Sequence, residues 1–484
     1  MKHLSRREFL KTVTISSAAL ASRPGNVLKN ISGRPKRPNL VYVFPDQFRA
    51  QAMGFMNQDP VITPNIDKFA SESKVFTNAV SNWPLCSPYR GMLMTGRWPH
   101  STGIITNCNS SQPDVYLRKS EITFTDVLSD AGYEVGYIGK WHLNTPQGVP
   151  VAKHWKEAIW DCYPSPDRRH GITFWHGYNC SDNHLRPHYW IGDAKEDEET
   201  FFDEYSPLHE AKVASEFIIN KDGKVRAPDK PFAIFVAMNP PHPPFDKVPD
   251  KYRNLYPSDP EVLINRKNVR QFKKHKFAQK NIRDYFAAVS GVDDAFGQIV
   301  KAIGKADLTD DTVVVFSSDH GEMMGSHSRT GKTCPYEEAF RIPLIVRWPG
   351  RIARGNDGLH INVPDYMPSL LGLMGLKDKI PSKAEGTDYS KAFLGRMRNI
   401  KKPGSSFYMR CSVNKPHSRG VRTDRYTFVV EKEDDNSCSY ILFDNQNDPY
   451  QLKNIAGENP ELSDSFKAEL NRWLKATNDP WGEV

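Results

Sequence analysis

Residues 86–97, which read CSPYRGMLMTGR, form the stretch around which this sequence is organised. Ser87 is a favourable N-cap and the proline after it a favourable first helical residue, so the stretch predicts a short helix that Gly96 ends. Cys86 would then lie just before a helix N-terminus, where free N–H groups attract an anion, and Arg90 would add a fixed cation. A small buried cysteine would fit the same position, and the helix alone leaves both interpretations open.

From residue 39 onward, apolar strands alternate with amphipathic helices, a pattern typical of an α/β domain with a large, mainly parallel sheet flanked by helices. The predicted strands are residues 39–44, 133–138, 231–238, 312–317 and 342–348. The predicted helices are residues 63–73, 123–131, 282–303 and 363–373. Residues 144–230, rich in Pro, Asp, Trp and His, predict long loops or insertions over a site.

After about residue 400 the strands become shorter and alternate in polarity. They are predicted at residues 406–410, 425–431 and 439–443, and a last helix at 461–476. This pattern indicates a smaller C-terminal antiparallel sheet with a terminal helix. We therefore expect a catalytic domain over residues 39–400 and a C-terminal subdomain over residues 401–484.

Length and composition are those of a globular protein of two or three domains, with 484 residues of which 38% are hydrophobic. The net charge of +8 comes from residues 1–38, which hold nine lysines and arginines and one glutamate. Residues 39–484 carry 56 charges of each sign. Because the body of the chain is neutral, no nucleic-acid partner is expected.

The basic leader resembles a twin-arginine export signal. Residues 5–11 read SRREFLK, a mildly apolar run covers 12–20, and the ALA triplet at 19–21 fits a cleavage site. Residues 22–38 then predict a flexible arm. The run is too short to span a bilayer, so we expect a periplasmic or secreted protein without stable membrane insertion. A disordered basic tail is the alternative, and the pairing of the seven cysteines stays open.

Several of the predicted strands lead into a charged or imidazole side chain. These residues are Asp46, His142, His242, Asp319 and His320. Ligands of an open α/β sheet bind outside the carboxyl ends of the strands, so the five side chains could converge on one site. Taken singly, the aspartates would also suit turn caps, and the histidines would suit ordinary buried positions.

Several stretches together resemble the type I sulfatases of the alkaline-phosphatase-like superfamily. Residues 86–97 resemble the first family signature, Cys-x-Pro-x-Arg followed by Thr-Gly-Arg, and GYIGKWH at 136–142 resembles the second. PHP at 241–243 and SDHGE at 318–322, with the lysine at position 332, resemble later motifs. The resemblance covers most of residues 39–450. It implies an alkaline-phosphatase-like fold and the hydrolysis of sulfate esters.

The resemblance further implies that Cys86 is oxidised to formylglycine by a maturation enzyme and lies beside one divalent cation. The implied ligands are Asp46, Gln47, Cys86, Asp319 and His320. Their oxygen-rich character suits Ca²⁺. Gln47 and His320 stand where many members have Asp and Asn, which leaves two carboxylates and keeps another metal open.

Catalytic roles are also implied for five more residues. Arg90, Lys140 and Lys332 would withdraw charge from the sulfate and hold it in line. His142 would help to deprotonate or orient the formylglycine hydrate. His242 would protonate the leaving oxygen with the help of Lys332, because an alkoxide is a poor leaving group. The division of acid and base between the two histidines stays open.

Two further stretches suit substrate contacts. Arg186 and His188 lie beside two aromatic residues, a combination that suits sugars and sulfates. The eight lysines and arginines of residues 266–283 form either a solvated helix face or a cradle for a polyanion. We expect an exported sulfatase that acts on a sulfated polysaccharide or oligosaccharide. The alternatives are a phosphonate or phosphodiester hydrolase of the same superfamily, and a carbohydrate-binding protein with unconverted Cys86.

Overall fold

The computed structural model describes residues 37–270, 276–396, 402–412, 417–433, 435 and 437–484. The strands of the larger sheet are β1 Asn39–Val43, β2 Lys74–Ala79, β3 Glu134–Lys140, β4 Phe174–Tyr178, β5 His188–Ile191, β6 Thr200–Phe201, β7 Phe232–Ala237, β8 Thr312–Ser317, β9 Leu344–Arg347 and β10 Gly355–Ile361. Those of the smaller sheet are β11 Ser406–Arg410, β12 His417–Arg422, β13 Tyr426–Lys432 and β14 Cys438–Asp444. The predicted export signal lies outside the described residues.

The α-helices are α1 Pro64–Ser71, α2 Cys86–Thr95, α3 Pro99–Thr102, α4 Phe124–Asp130, α5 Ser206–Ile219, α6 Asp250–Arg253, α7 Pro260–Leu263, α8 Lys267–Arg270, α9 Lys276–Lys305, α10 Glu337–Phe340, α11 Tyr366–Leu373, α12 Ser390–Phe393 and α13 Pro460–Ala476. Short 3₁₀ helices cover Gly54–Met56, Trp155–Glu157, Pro166–Arg168, Lys221–Gly223, Ser326–Ser328, Val363–Asp365 and Lys377–Lys379. None of the helices described is both long and apolar enough to cross a membrane.

The ten strands of the larger sheet follow the order β10-β2-β9-β8-β1-β7-β3-β4-β5-β6. The central strands β8, β1, β7, β3 and β4 are parallel, whereas β9 runs antiparallel to both of its neighbours. Leu40 and Tyr42 of β1 enter one apolar cluster, and Val41 and Val43 enter the other, so the sheet separates two apolar layers. The predicted α/β class, with a separate antiparallel sheet and a terminal helix, is confirmed.

Most predicted elements are present, and the largest difference lies in residues 144–230. Long loops are predicted there, but the segment forms β4, β5 and β6, which extend the sheet, and the fourteen-residue helix α5. β4 reads FWHGY and β5 reads HYWI, so neither short strand has the run of β-branched residues that is typical of a strand. The strands β2, β10 and β12 are also absent from the predicted set.

Helix α2 begins two residues earlier than predicted. Leu85 is its N-cap residue, and the prediction that Ser87 caps the helix is wrong. The Ser87 hydroxyl instead donates to the His142 carbonyl at 2.7 Å and accepts the Cys108 N–H at 3.0 Å. Gly96 ends the helix as predicted, with a φ of 63° and its N–H on the Met92 carbonyl.

The smaller sheet, β11–β14, is antiparallel throughout and packs with helix α13. Phe407 of β11 stacks on Trp473 of α13 with ring centroids 5.7 Å apart and planes 2° from parallel. Residues 38–484 form one compact unit. A domain boundary near residue 400 therefore stays a prediction.

Candidate active site

The strand ends of β1 and β8 bring four predicted ligands together at the first turn of α2. They are Asp46, Cys86, Asp319 and His320, and all four are buried. Their donor atoms lie within 4.8 Å of one another. β1 and β8 are parallel neighbours, so both end at the same edge of the sheet. The convergence expected from the strand ends is present for these residues.

The tautomer of His320 indicates that this cluster suits a metal cation. His320 Nδ1 lies 3.0 Å from the Gly321 carbonyl, which can only accept, so Nδ1 carries the proton and Nε2 carries a lone pair. Nε2 lies 3.3 Å from Cys86 Sγ and 3.5 Å from Asp46 Oδ1. Burial lowers the pKa of His320 well below its ordinary value, so the ring is neutral. A lone pair facing a carboxylate, with the other ring nitrogen on a carbonyl, is typical of a metal-binding histidine.

The two carboxylates of the cluster differ in their proton affinity. Burial and the charge of Asp46 raise the pKa of Asp319 to about 7. Burial alone would also raise the pKa of Asp46, but Lys140 holds it well below its ordinary value, since Lys140 Nζ lies 2.7 Å from Asp46 Oδ2. A cation between the carboxylates would relieve this repulsion, so the donor set fits one.

Gln47 adopts a left-handed backbone, with a φ of 66°, and its N–H donates to Asp319 Oδ1 at 3.0 Å. Its side-chain NH₂ donates to Glu322, which leaves the amide oxygen to accept from Lys332 Nζ at 2.7 Å. Glu322 also accepts the Gly331 N–H at 2.9 Å. Glu322, absent from the predicted site, thus fixes Gln47 and the loop that carries Lys332.

Three cations surround Cys86. Arg90 Nη2 lies 3.2 Å from Asp46 and 3.1 Å from Asp319, and Lys332 Nζ lies 3.3 Å from Cys86 Sγ. Lys140, the third cation, follows Gly139, whose φ is 93°. No larger residue could replace this glycine, because a Cβ there would lie 2.4 Å from a carbonyl of β7. Such a ring of fixed donors suits an anionic substrate group.

The Cys86 thiol is not a thiolate in this environment. Burial, followed by the charge of Asp46, raises the pKa of Cys86 to about 11. Most of the thiol is therefore protonated at pH 7, whereas cysteine nucleophiles depend on a lowered pKa. The protein alone does not activate Cys86 as a sulfur nucleophile.

The two predicted catalytic histidines have defined tautomers. His142 Nε2 donates to the Cys108 carbonyl at 3.2 Å, and its buried Nδ1 has no hydrogen-bond partner among the described residues. Burial, with Lys140 and Arg90, lowers the pKa of His142 well below its ordinary value. A neutral ring with a free Nδ1 lone pair is equipped to accept a proton.

His242 lies at the rim and is held by a residue that the sequence did not indicate. His242 Nδ1 is 2.8 Å from the Pro243 carbonyl and 3.1 Å from Asp182 Oδ1. Asp182 follows β4, which the sequence pattern did not reveal as a strand. The rule that strand ends carry site residues would have found Asp182 if β4 had been recognised.

Comparison with known proteins shows the family to which this chain belongs. A family model described as sulfatase matches residues 38–376, and one described as N-sulphoglucosamine sulphohydrolase, C-terminal, matches residues 325–478. The chain belongs to the sulfatase family. The motifs that suggested this resemblance in the sequence lie within the matched residues.

Named relatives agree with the family. This sulfatase is 40% identical to an endo-4-O-sulfatase of Bacteroides thetaiotaomicron, covering 94% of this chain and 95% of the relative. It is 33% identical to an ulvan-active sulfatase of Formosa agariphila, covering 92% and 82%. A solved structure from work on glycosaminoglycan metabolism by B. thetaiotaomicron is 40% identical, with a TM-score of 0.86 over 92% of this chain and 98% of that one. The sulfatase therefore hydrolyses sulfate esters.

The predicted substrate residues of this sulfatase make their described contacts outside the cluster. Arg186 is exposed, lies 3.0 Å from Asp203 and stacks over the Phe201 ring. His188 Nε2 lies 2.8 Å from Asp161 Oδ2. The predicted roles of both residues in substrate binding stay predictions.

The basic run is only partly a solvated face. Arg266 is buried, and its guanidinium lies 2.7 Å from the buried carboxylate of Glu338. Residues 271–275, in the middle of the run, lie outside the described part of the chain. Arg266 therefore serves the packing of the fold and is not available as part of a polyanion cradle.

Proposed function

We propose that Cys86 of this sulfatase is converted to formylglycine by a maturation enzyme, and that this residue, with one divalent cation, removes sulfate from a sulfated polysaccharide or oligosaccharide. One observation carries the proposal. Cys86 Sγ lies 3.3 Å from both His320 Nε2 and Lys332 Nζ, and 3.7 Å from Asp46 Oδ1. A formylglycine at this position would contact the side chains that could hold the metal ion. It would also contact the ammonium group of Lys332, which can bind sulfate.

Asp46, Asp319 and His320 would hold the cation, together with Gln47 if its amide oxygen turns from Lys332 to the ion. The carboxylate and amide oxygens of this set suit Ca²⁺. When present, the cation would polarise the sulfate and the formylglycine hydrate would supply the attacking hydroxyl. The chain's own cations act on the sulfate oxygens. Arg90 is fixed by two carboxylates, so it enters the reaction already oriented and needs little reorganisation.

Proton transfer falls to the two histidines. His142 is neutral and has a free Nδ1, so it accepts or orients the proton of the attacking hydroxyl. His242 lies at the rim, with 16% of its side chain exposed, where a leaving alcohol would depart. We therefore assign the base role to His142 and the acid role to His242, assisted by Lys332.

The relatives support a carbohydrate substrate. The two relatives at 40% and 33% identity are named as an endo-4-O-sulfatase and an ulvan-active sulfatase, and this chain covers most of their lengths. Kinetics on matched sulfate, phosphate and phosphonate esters, together with a panel of sulfated oligosaccharides, test the proposal. We expect release of sulfate, with the highest kcat/KM on a sulfated oligosaccharide. Faster cleavage of a phosphonate ester would support the alternative hydrolase.

Export is the part of the proposal that rests on the leader sequence alone. The SRREFLK stretch resembles a twin-arginine signal, and a pathway that moves folded proteins would require Cys86 to be modified before export. Replacing Arg6 and Arg7 together by lysine should retain the protein in the cytoplasm with the activity of the purified enzyme unchanged. Equal amounts of both forms in the periplasm would contradict the twin-arginine route, and absence of the wild type from the periplasm would contradict this localisation.

A further inference from the structure

Asp182 is a carboxylate at the rim of the site that no step above uses. Its Oδ1 lies 3.1 Å from His242 Nδ1 and accepts the side-chain N–H of Asn239 at 2.9 Å. The other end of the Asn239 amide accepts from Lys140 Nζ at 3.0 Å. The carboxylate is thus tied to the ends of β7 and β3, and its position is fixed although 47% of its side chain is exposed.

The contacts of His242 define which ring nitrogen can reach a substrate. The Pro243 carbonyl and the Asp182 carboxylate can only accept, so Nδ1 must carry a proton and Nε2 is left for the substrate. The His242 carbonyl also accepts from His184 Nε2 at 2.8 Å. The ring and the backbone of His242 are therefore held from the same segment, residues 182–184.

We propose that Asp182 is a positioning residue that orients His242 and stabilises its protonated form, so that Nε2 donates a proton to the leaving oxygen. This inference rests on the proposed function, which assigns the acid role to His242. It adds a residue from a segment in which the sequence predicted only loops.

His242 would give up its proton as the sulfate ester is cleaved. While the attacking oxygen bonds to sulfur, the bond from sulfur to the leaving oxygen breaks, and that oxygen keeps the electron pair. The leaving oxygen takes the proton of His242 Nε2 and departs as an alcohol. His242 is left neutral, with its Nδ1 proton still directed at Asp182.

The charges around His242 show why the carboxylate is needed. Burial disfavours the imidazolium, and the nearby cations Lys140 and Lys332 disfavour it further. Asp182 and the more weakly interacting Asp46 are the anions that oppose them, and only Asp182 contacts the ring in the described structure. Loss of the Asp182 charge would lower the fraction of His242 that can act as an acid.

Substrates with different leaving groups separate this role from a general effect on folding. An alkyl or sugar alcohol needs a proton to leave, whereas 4-nitrophenolate does not. In Asp182→Asn, kcat on a sulfated sugar should fall about 100-fold, the low end of the range for general acid catalysis, while turnover of 4-nitrophenyl sulfate stays within about twofold. In a His242→Ala background, Asp182→Asn should not further change the ratio of kcat on the sulfated sugar to kcat on 4-nitrophenyl sulfate, because the two residues act as one unit.

Asp246→Asn is a matched control, since Asp246 is exposed and lies four residues after His242. It should leave both activities unchanged. Asp182→Ala, which removes the acceptor as well as the charge, should reproduce or exceed the selective loss.

Three results would overturn the inference. An equal loss on both substrates would show a structural role, and a raised KM for the sugar with unchanged kcat would show that Asp182 contacts the substrate itself. Unchanged turnover of both substrates in Asp182→Asn would show no role in proton donation. Absence of turnover in the wild type as well would overturn the proposed function and this inference with it.

Discussion

The buried cluster and the rim of this active site are built in different ways. Asp46, Asp319 and His320 have fully buried side chains that follow central strands and contact one another. His242 and Asp182 are partly exposed and lie on loops after β7 and β4. The cluster is held by the core of the sheet, whereas the rim is held by a few hydrogen bonds between loops.

This difference separates two parts of the chemistry. Every sulfate ester presents the same anionic group, so residues that bind it can sit on rigid strand ends. The leaving alcohol differs from one substrate to another, and the residues that meet it lie on loops, where insertions are tolerated. We therefore expect substitutions in the cluster to impair all substrates, and substitutions in the rim to impair selected ones.

The largest effect is expected from Asp319→Ala. It removes one of the two carboxylates of the donor set and a partner of Arg90, so activity on every substrate should fall by roughly 10³-fold or more. Calorimetric titration with Ca²⁺ should show lost binding, and a chelator should inactivate the wild type until Ca²⁺ is restored. Asp378→Ala, on an exposed 3₁₀ helix, is the control. Full activity after verified metal removal would contradict the site as described.

Replacing Gly321 by alanine tests whether the cluster depends on close packing. A Cβ at Gly321 would lie 1.8 Å from the Glu338 carbonyl, so Gly321→Ala must displace the chain next to His320. We expect activity to fall at least about tenfold on all substrates and the melting temperature to drop. Gly304→Ala, with nothing within 4 Å of its Cβ in helix α9, should leave both unchanged or slightly raise stability. Equal behaviour of the two variants would refute tight packing as the cause.

The pH profile tests the assignment of His142 as the base. A base must be neutral to act, and burial with Lys140 and Arg90 lowers the pKa of His142. A lowered pKa moves protonation to lower pH. With saturating Ca²⁺, which would keep Asp319 ionised, kcat/KM for 4-nitrophenyl sulfate should therefore stay level as pH falls to 6.5, the ordinary histidine value, and decline only below it. A midpoint above pH 6.5 would argue against this role.

The smallest effect is expected at Arg186. A sulfated oligosaccharide should exceed 4-nitrophenyl sulfate in kcat/KM, because contacts remote from the sulfate supply binding energy that can be used at the reacting centre. Arg186→Ala should reduce kcat/KM on the oligosaccharide by about tenfold or less, equivalent to ~1.4 kcal/mol, and leave the aryl sulfate unchanged. Equal rates on both substrates in the wild type would refute the preference for a polymer.

The sequence predicts the cluster better than the rim for a physical reason. Asp46 and Asp319 each follow a continuous apolar strand, so strand position alone indicates where they lie. Asp182 follows a strand of mixed aromatic and polar residues, and its contact with His242 depends on how distant loops meet. The prediction that Ser87 caps the helix is wrong for a similar reason. The Ser87 hydroxyl bonds instead to the backbone of His142 and Cys108, and no local sequence pattern reveals these contacts.

The central claim is that residue 86 acts as a formylglycine. The most direct measurement is the fraction of aldehyde at this position, by mass spectrometry of the peptide, against sulfate release by the same preparation. Coexpression with a formylglycine-generating enzyme should raise both in proportion, and Cys86→Ala should release no sulfate while keeping its fold, with Cys438→Ala as the matched control. Sulfate release by Cys86→Ala at the wild-type rate would contradict the claim.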